Sequence, residues 1–164
     1  REYGLNEPAS ILDMTREIVI KEFEKSNEEV KDGMDIALCA LNDKYLSYAG
    51  ANNPLWIIRN GSNSVEEIKA DKQPIGKYAD AKPFTTHNIN LNQGDTIYIF
   101  SDGFSDQFGG EKGKKFKTVN FKKLLLSIQG EDMNTQLNLI SEVFEDYKRD
   151  LELLDDVCVI GVRI

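Results

Sequence analysis

The sequence has few of the residues that build disulfide frameworks, zinc sites or membrane spans. Its 164 residues include two cysteines, Cys39 and Cys158, and one histidine, His87. Both cysteines lie in apolar runs, so we expect them to be buried, unpaired hydrophobes of a reducing compartment. His87 has no Cys or His at ligand spacing, which gives a zinc site or a Ser-His-Asp triad little support. No apolar run approaches the roughly 20 residues that span a bilayer.

Positive charge is also scarce. Lys and Arg number 20 against 28 Asp and Glu, which gives a net charge of −8. This balance disfavours non-specific binding to nucleic acid or anionic lipid, whereas it suits a metal cation or a basic patch on a partner. The length fits a single domain over residues 1–164.

The order of secondary-structure signals predicts an α+β fold. Apolar residues recur at helical spacing over 8–25, after a capping Asn6 and a Pro8 in the first turn. Two further amphipathic helices are expected, one around 121–128 and one around 133–147. Strands are predicted at 36–41, 45–51, 55–59, 65–69, 84–91, 96–101 and 157–164. The first four are expected to form one antiparallel meander. Grouped strands followed by grouped helices favour antiparallel sheets, and Trp56 is expected in the core.

Acidic residues stand twice against the end of a buried strand. Asp102 and Gly103 follow the run 97–100, and Asp155 and Asp156 precede the last strand. A carboxylate in such a place is costly unless it is solvated or paired with a cation, and for Asp102 taken alone a strand-to-loop turn is the favoured explanation. If the two strands are neighbours, however, the carboxylates converge into oxygen ligands of the kind that Mg²⁺ and Mn²⁺ prefer.

Three other polar segments are weaker candidates. Asp32 and Asp35 are interpreted as a solvated turn before a strand. The glycine- and lysine-rich segment 109–117 lacks the spacing of a phosphate-binding loop. We expect that segment to be exposed, either as a solvated basic loop or as a contact for an acidic or phosphorylated partner.

The motifs together resemble a known family. The segments SDGFSDQ at 101–107, YAGANNPLWIIRNG at 48–61, KQPIG at 72–76 and LDDVCVIGVRI at 154–164 are similar to the C-terminal portion of SpoIIE/RsbU-type serine/threonine phosphatases. These belong to the metal-dependent protein phosphatases of the PPM, or type-2C, class. The resemblance covers nearly all of the chain from about residue 5.

The resemblance implies a four-layer α-β-β-α sandwich of antiparallel sheets. It implies hydrolysis of phosphoserine or phosphothreonine by water activated by Mn²⁺ or Mg²⁺, with two ions in the complete domain. The implied substrate is a STAS-type anti-anti-sigma regulator in cytoplasmic bacterial signalling. Asp102 matches a metal-binding Asp of the family, with Gly103 as the backbone beside the metal. Asp155 matches a second metal-binding Asp, Asp156 holds the position after it, and no catalytic side chain is carried over.

One expected element of the family is missing from the sequence. Family members place another metal-binding Asp well upstream of the first helix, and this chain contains no such segment. We therefore expect an N-terminally truncated domain that is inactive or nearly so by itself, preceded in its parent by a sensory domain. Exposed strand edges are expected to favour a homodimer.

Rival interpretations stay open at this stage. A receiver domain would place its acidic pair near the first strand, and a haloacid-dehalogenase-like phosphatase would need an Asp where Phe104 stands. The alternative from another class is a non-catalytic interaction module of the same fold, whose acidic residues serve only as turns.

Overall fold

A computed structural model describes residues 4–25 and 33–164, so Asp32 and most of the predicted loop 26–33 lie outside the described residues. Along the chain the elements are α1 (Pro8–Lys25), β1 (Ile36–Asn42), β2 (Tyr45–Ala51), β3 (Leu55–Ile58), β4 (Glu66–Ile68), β5 (His87–Asn90), β6 (Thr96–Phe100), α2 (Gly103–Asp106), β7 (Phe108–Gly109), β8 (Lys114–Lys115), α3 (Thr118–Ser127), α4 (Met133–Lys148) and β9 (Val159–Arg163). No described helix is long and apolar enough to cross a membrane.

The chain divides into two compact units. The first comprises Arg1–Leu55, Glu67–Gln93 and Ile164, and the second comprises Trp56–Glu66 and Gly94–Arg163. The boundary therefore falls within β3 and β4.

The first unit is a helix packed on a three-stranded sheet. The strand order is β1-β2-β5, and both pairs are antiparallel. Pro8 occupies the first helical position of α1, where its missing N–H is no loss. The next amide, of Ala9, donates to Thr86 Oγ1 at 3.1 Å. Leu12 then buries its side chain in a cluster with Ala49 and Ala51 of β2, so the helix is fixed to the sheet by its first turns.

The second unit contains β6, β9, most of β3 and the first residue of β4, which belong to a sheet of order β4-β3-β6-β9, together with the helices α2, α3 and α4. Strand β6 pairs antiparallel with both β3 and β9. The core is unusually aromatic, and its buried members are Trp56, Ile58, Tyr98, Phe104, Phe116, Phe121, Leu125, Ile128, Ile140 and Phe144. The predicted core position of Trp56 is thus confirmed.

A buried polar network crosses this aromatic core at Tyr98. The Tyr98 hydroxyl donates to Gln136 Oε1 at 2.5 Å and accepts from Gln129 Nε2 at 2.7 Å. Gln136 is 1% exposed, and its Nε2 donates to the Glu131 carbonyl. Burial raises the pKa of the Tyr98 hydroxyl, which stays protonated and able to donate. The network ties the middle of β6 to α4 and to the turn before it.

The α+β class with antiparallel sheets is confirmed, but the single meander is wrong. Strand β2 already has a partner on each edge, because Leu46 pairs with Leu41 of β1 and with Ile89 of β5. No edge is left for β3, and after the turn at Asn52 (φ 58°) the chain continues into the second sheet. Sequence patterns do not distinguish a hairpin from such a change of sheet.

The burial predicted for the cysteines is wrong for Cys158. Cys39 is half-buried, and burial raises the pKa of its thiol to about 11. Cys158 is exposed, since it precedes β9 in a segment without regular structure. Both are free thiols, as predicted.

Replacing Tyr98 by Phe tests the buried network. The change removes the hydroxyl and leaves the buried Gln136 amide oxygen without its donor, so the free energy of unfolding should fall by about 1–3 kcal/mol. Urea unfolding measures this loss. The control is Tyr45→Phe, because Tyr45 is 53% exposed and should tolerate the change; equal stability of both variants would contradict the network.

Candidate metal site

The pairing of β6 with β9 brings the two acidic motifs to the same edge of one sheet. Phe100, the last residue of β6, pairs with Val159, the first residue of β9. Beyond this pair the Ser101 amide donates to the Cys158 carbonyl at 2.9 Å. In an antiparallel pair the end of one strand lies beside the start of the other. The segment after β6 therefore meets the segment before β9, which was the condition on which convergence depended.

Ser101 joins the two segments through its side chain. Its Oγ donates to the Asp156 carbonyl at 2.8 Å and accepts from the Cys158 amide at 2.9 Å. One hydroxyl thus satisfies two backbone groups of a segment that no regular element holds. This positions Asp155 and Asp156 against the start of the Asp102 turn.

Gly103 allows the closest approach between the segments. A Cβ built at Gly103 would lie 2.5 Å from the Asp156 carbonyl oxygen and 3.2 Å from Val157 Cγ2. Any larger residue would push the two segments apart. The space that glycine leaves open is thus used by the main chain of the acidic segment.

Gln107 fixes the acidic segment from a second side. This residue is 1% exposed. Its Nε2 donates to the Glu152 carbonyl at 3.0 Å, and its Oε1 accepts from the Leu154 amide at 3.2 Å. Residues 152–158 therefore have two polar anchors, Gln107 at the start and Ser101 at the end.

Asp102 lies at the start of α2, where its backbone and its side chain have different roles. It is the N-cap of α2, yet its side chain makes no capping hydrogen bond. Its backbone carbonyl instead stabilises the turn by accepting hydrogen bonds from the Asp106 amide at 2.9 Å and from Ser105 Oγ at 3.1 Å. The Asp102 side chain is therefore not the cap of this helix.

The acidic side chains themselves are exposed at this edge. Asp102, Asp155 and Asp156 all face solvent, and one Asp155 oxygen accepts from the Asp156 amide at 2.7 Å. Within residues 4–25 and 33–164, no group of three or more His, Cys, Asp or Glu side chains is arranged to hold a metal ion. The described arrangement is two exposed acidic segments whose backbones are joined at one end of the sheet, without an assembled set of three ligands among the described residues.

The other candidates lie elsewhere in the fold. Asp35 is exposed and accepts a hydrogen bond from Asn52 Nδ2 at 2.8 Å, which fits a solvated turn. His87 is part of β5, and its ring stacks on Tyr48. The segment 109–117 is largely exposed, as predicted, although its ends form the small β7–β8 hairpin.

Sequence reasoning missed Ser101 and Gln107. Ser101 directly precedes Asp102, and Gln107 closes the same SDGFSDQ segment, but the segment alone assigns neither residue a role. The only available signal was their place in that segment. Their partners are backbone groups about 50 residues away, which no local pattern reveals.

The Gly103→Ala variant tests the close approach of the two segments. The added Cβ meets a backbone oxygen, so the backbone must shift, with an expected loss of about 1–3 kcal/mol in the free energy of unfolding. Thermal or urea unfolding measures it. Gly130→Ala is the matched control, because a Cβ there meets nothing within 4 Å; a harmless Gly103→Ala would contradict the contact.

The chain is similar to several proteins of known structure. The chain is similar in structure to the SiaA-PP2C domain of Pseudomonas aeruginosa, with a TM-score of 0.83 and 25% identity over 96% of this chain. It spans 61% of that domain's chain. A comparison with curated proteins gives no match.

More distant similarities show the same fold. The phosphatase domain of the cell fate determinant SpoIIE from Bacillus subtilis, in a Mn-presoaked crystal, matches 98% of this chain and is itself covered to 74%, with a TM-score of 0.59 and 20% identity. PppA, a regulatory component of T6SS in Pseudomonas aeruginosa, matches 93% of this chain and is covered to 66%, with a TM-score of 0.63 and 15% identity. The family model for Stage II sporulation protein E (SpoIIE) matches residues 4–164. The chain therefore belongs to the SpoIIE family of phosphatase domains.

Proposed function

We propose that the chain is part of a protein phosphatase that hydrolyses phosphoserine or phosphothreonine with Mn²⁺ or Mg²⁺. The observation that carries the proposal is the β6–β9 register, which makes the segment after β6 the neighbour of the segment before β9. Membership of the SpoIIE family and the likeness to PP2C domains support it.

The donor chemistry fits a hard divalent cation. Carboxylate oxygens are the ligands that Mg²⁺ and Mn²⁺ prefer, and Mg²⁺ is usually held by one or two carboxylates together with water and substrate phosphate. Asp102 and Asp155 would hold the metal, with Asp156 next to them. Such a metal supplies activation of water and neutralisation of phosphoryl oxygens.

The contribution of the chain itself is preorganisation. Ser101 and Gln107 hold the backbone of the acidic segment, so less main chain has to be ordered when a cation binds. Gly103, which has no side chain, permits the close approach of the Asp156 backbone that this arrangement requires. A buried strand, β6, supplies the rigid support below Asp102.

The finer parts of the proposal concern partners. The substrate class follows the resemblance: a phosphorylated STAS-type regulator in bacterial signalling, acted on in the cytoplasm, with a sensory domain elsewhere in the parent. Among the described strands β4 and β9 are the outer members of their sheet, so pairing with a second copy stays a prediction.

The Asp102→Asn and Asp155→Asn variants test the metal ligands. Each removes one negative charge without changing the size of the side chain, so the affinity for Mn²⁺ should fall at least about tenfold, or about 1.4 kcal/mol. Titration calorimetry with MnCl₂ measures the affinity. Asp80→Asn is the control, because Asp80 is exposed in a loop of the first unit. Unchanged binding in both site variants would remove these residues from the site.

The same titration tests the function when a phosphoserine peptide is added. Because the sequence predicts little turnover by these 164 residues alone, coupled binding is a more direct measure than rate. A phosphatase site should bind Mn²⁺ more tightly with the phosphopeptide present, and the peptide more tightly with Mn²⁺. The unphosphorylated peptide is the control. Absence of coupling would favour the non-catalytic module.

A further inference from the structure

A dense run of positive charge interrupts this acidic chain. Residues 112–123 contain six lysines and no acidic residue, whereas the whole chain has a net charge of −8. The lysines are Lys112, Lys114, Lys115, Lys117, Lys122 and Lys123. We propose that this lysine-rich segment binds acidic residues that flank the phosphorylated residue of the substrate protein. The inference rests on the proposed function and names the substrate sequence that the site would favour.

The fold attaches the lysine-rich segment directly to the candidate metal site. The Lys117 amide donates to the Ser105 carbonyl at 2.8 Å, and the Phe116 amide donates to the Gln107 carbonyl at 2.9 Å. Ser105 belongs to α2, which begins immediately after Asp102 and has four residues. At ~1.5 Å per residue, Ser105, which holds the Lys117 backbone, lies about 4.5 Å of helical rise beyond Asp102.

The lysines differ in their local roles. Lys115 Nζ lies 2.7 Å from Asp106 Oδ2, so this ion pair ties β8 to the end of α2. Lys122 Nζ lies 4.8 Å from the centre of the Trp56 ring. Lys112, Lys114 and Lys117 are exposed around the β7–β8 hairpin, and they are the lysines that present charge to a ligand.

The backbone of Lys117 supports a role for its side chain. It has φ 73° and ψ 142°, a region that glycine occupies almost alone and that costs other residues about 1–3 kcal/mol. Glycine would relieve this strain. The sequence instead has a lysine there, directly between the β8 strand and α3.

An acidic protein segment is favoured as the partner over nucleic acid and anionic membranes. The net charge of −8 repels long polyanions and anionic membranes at distance, whereas a short peptide can contact the lysine-rich segment alone. An extended peptide rises ~3.3 Å per residue, so acidic residues two to four positions from a phosphoserine lie about 7–13 Å from it. That span suits a phosphate at Asp102 and Asp155 with carboxylates on the hairpin.

Two phosphoserine peptides of equal length test the proposal. One carries Glu at two to four positions on both sides, and the other carries Ala there. With Mn²⁺ present, fluorescence anisotropy should show about tenfold tighter binding of the Glu peptide, as expected for a few exposed ion pairs. The preference should shrink as salt rises.

Two triple variants that remove the same number of positive charges separate the effect of the lysine-rich segment from the effect of net charge. The variant Lys112→Gln/Lys114→Gln/Lys117→Gln should lose the preference and keep its affinity for the Ala peptide. The control Lys21→Gln/Lys44→Gln/Lys72→Gln, at exposed positions of the first unit, should retain the preference. The single variant Lys117→Gly should be at least as stable as the parent and yet bind the Glu peptide more weakly.

The outcomes distinguish failure of this inference from failure of the proposed function. Equal, Mn²⁺-dependent binding of both peptides would overturn the inference and leave the phosphatase standing. A preference for Glu, combined with affinities that neither phosphate nor Mn²⁺ changes for either peptide, would support an acidic-partner surface and contradict the phosphatase. Duplex DNA or phosphatidylserine vesicles that bind as tightly as the Glu peptide, through the same lysines, would overturn the proposal.

Discussion

The antiparallel pairing of β6 with β9 is the constraint on which the candidate site depends. Its register, from Thr96 with Arg163 to Phe100 with Val159, determines which residues follow one strand and precede the other. A slip by one residue would turn every side chain of the strand to the opposite face. Tyr98 resists such a slip, because its hydroxyl is held by α4 and its ring lies over Gly161, where a Cβ would be 2.9 Å from the ring.

The polar contacts around the site have one function in common: they hold main chain that no sheet or helix holds. Residues 151–158 are exposed and irregular, so their backbone groups would otherwise bind water and sample many conformations. Ser101 and Gln107 replace that water on one side, and glycine at 103 permits close packing. The backbone of the acidic segment is thus held by neutral residues.

The sequence predicts the elements and the strand-end positions of the acidic residues better than it predicts the contacts that support them. The bounds of α1 and the strand-end positions of Asp102 and Asp155 follow from local patterns of apolar spacing and turn residues. The change of sheet after β2 and the exposure of Cys158 depend on which strand edges are already paired, and Gln107 contacts residues far along the chain. Such long-range pairings leave no periodic trace, and helices as short as α2 are below the length at which periodicity is visible.

Paramagnetic broadening by Mn²⁺ tests the central claim most directly, since it reports which backbone amides lie near the bound ion. In ¹⁵N-resolved NMR spectra with Mg²⁺ as the diamagnetic reference, substoichiometric Mn²⁺ should broaden two separate segments together, 101–105 and 155–158. Both should lose intensity over the same concentration range. Broadening of only one segment, or of amides elsewhere in the chain, would show that the register of β6 and β9 does not build a shared metal site.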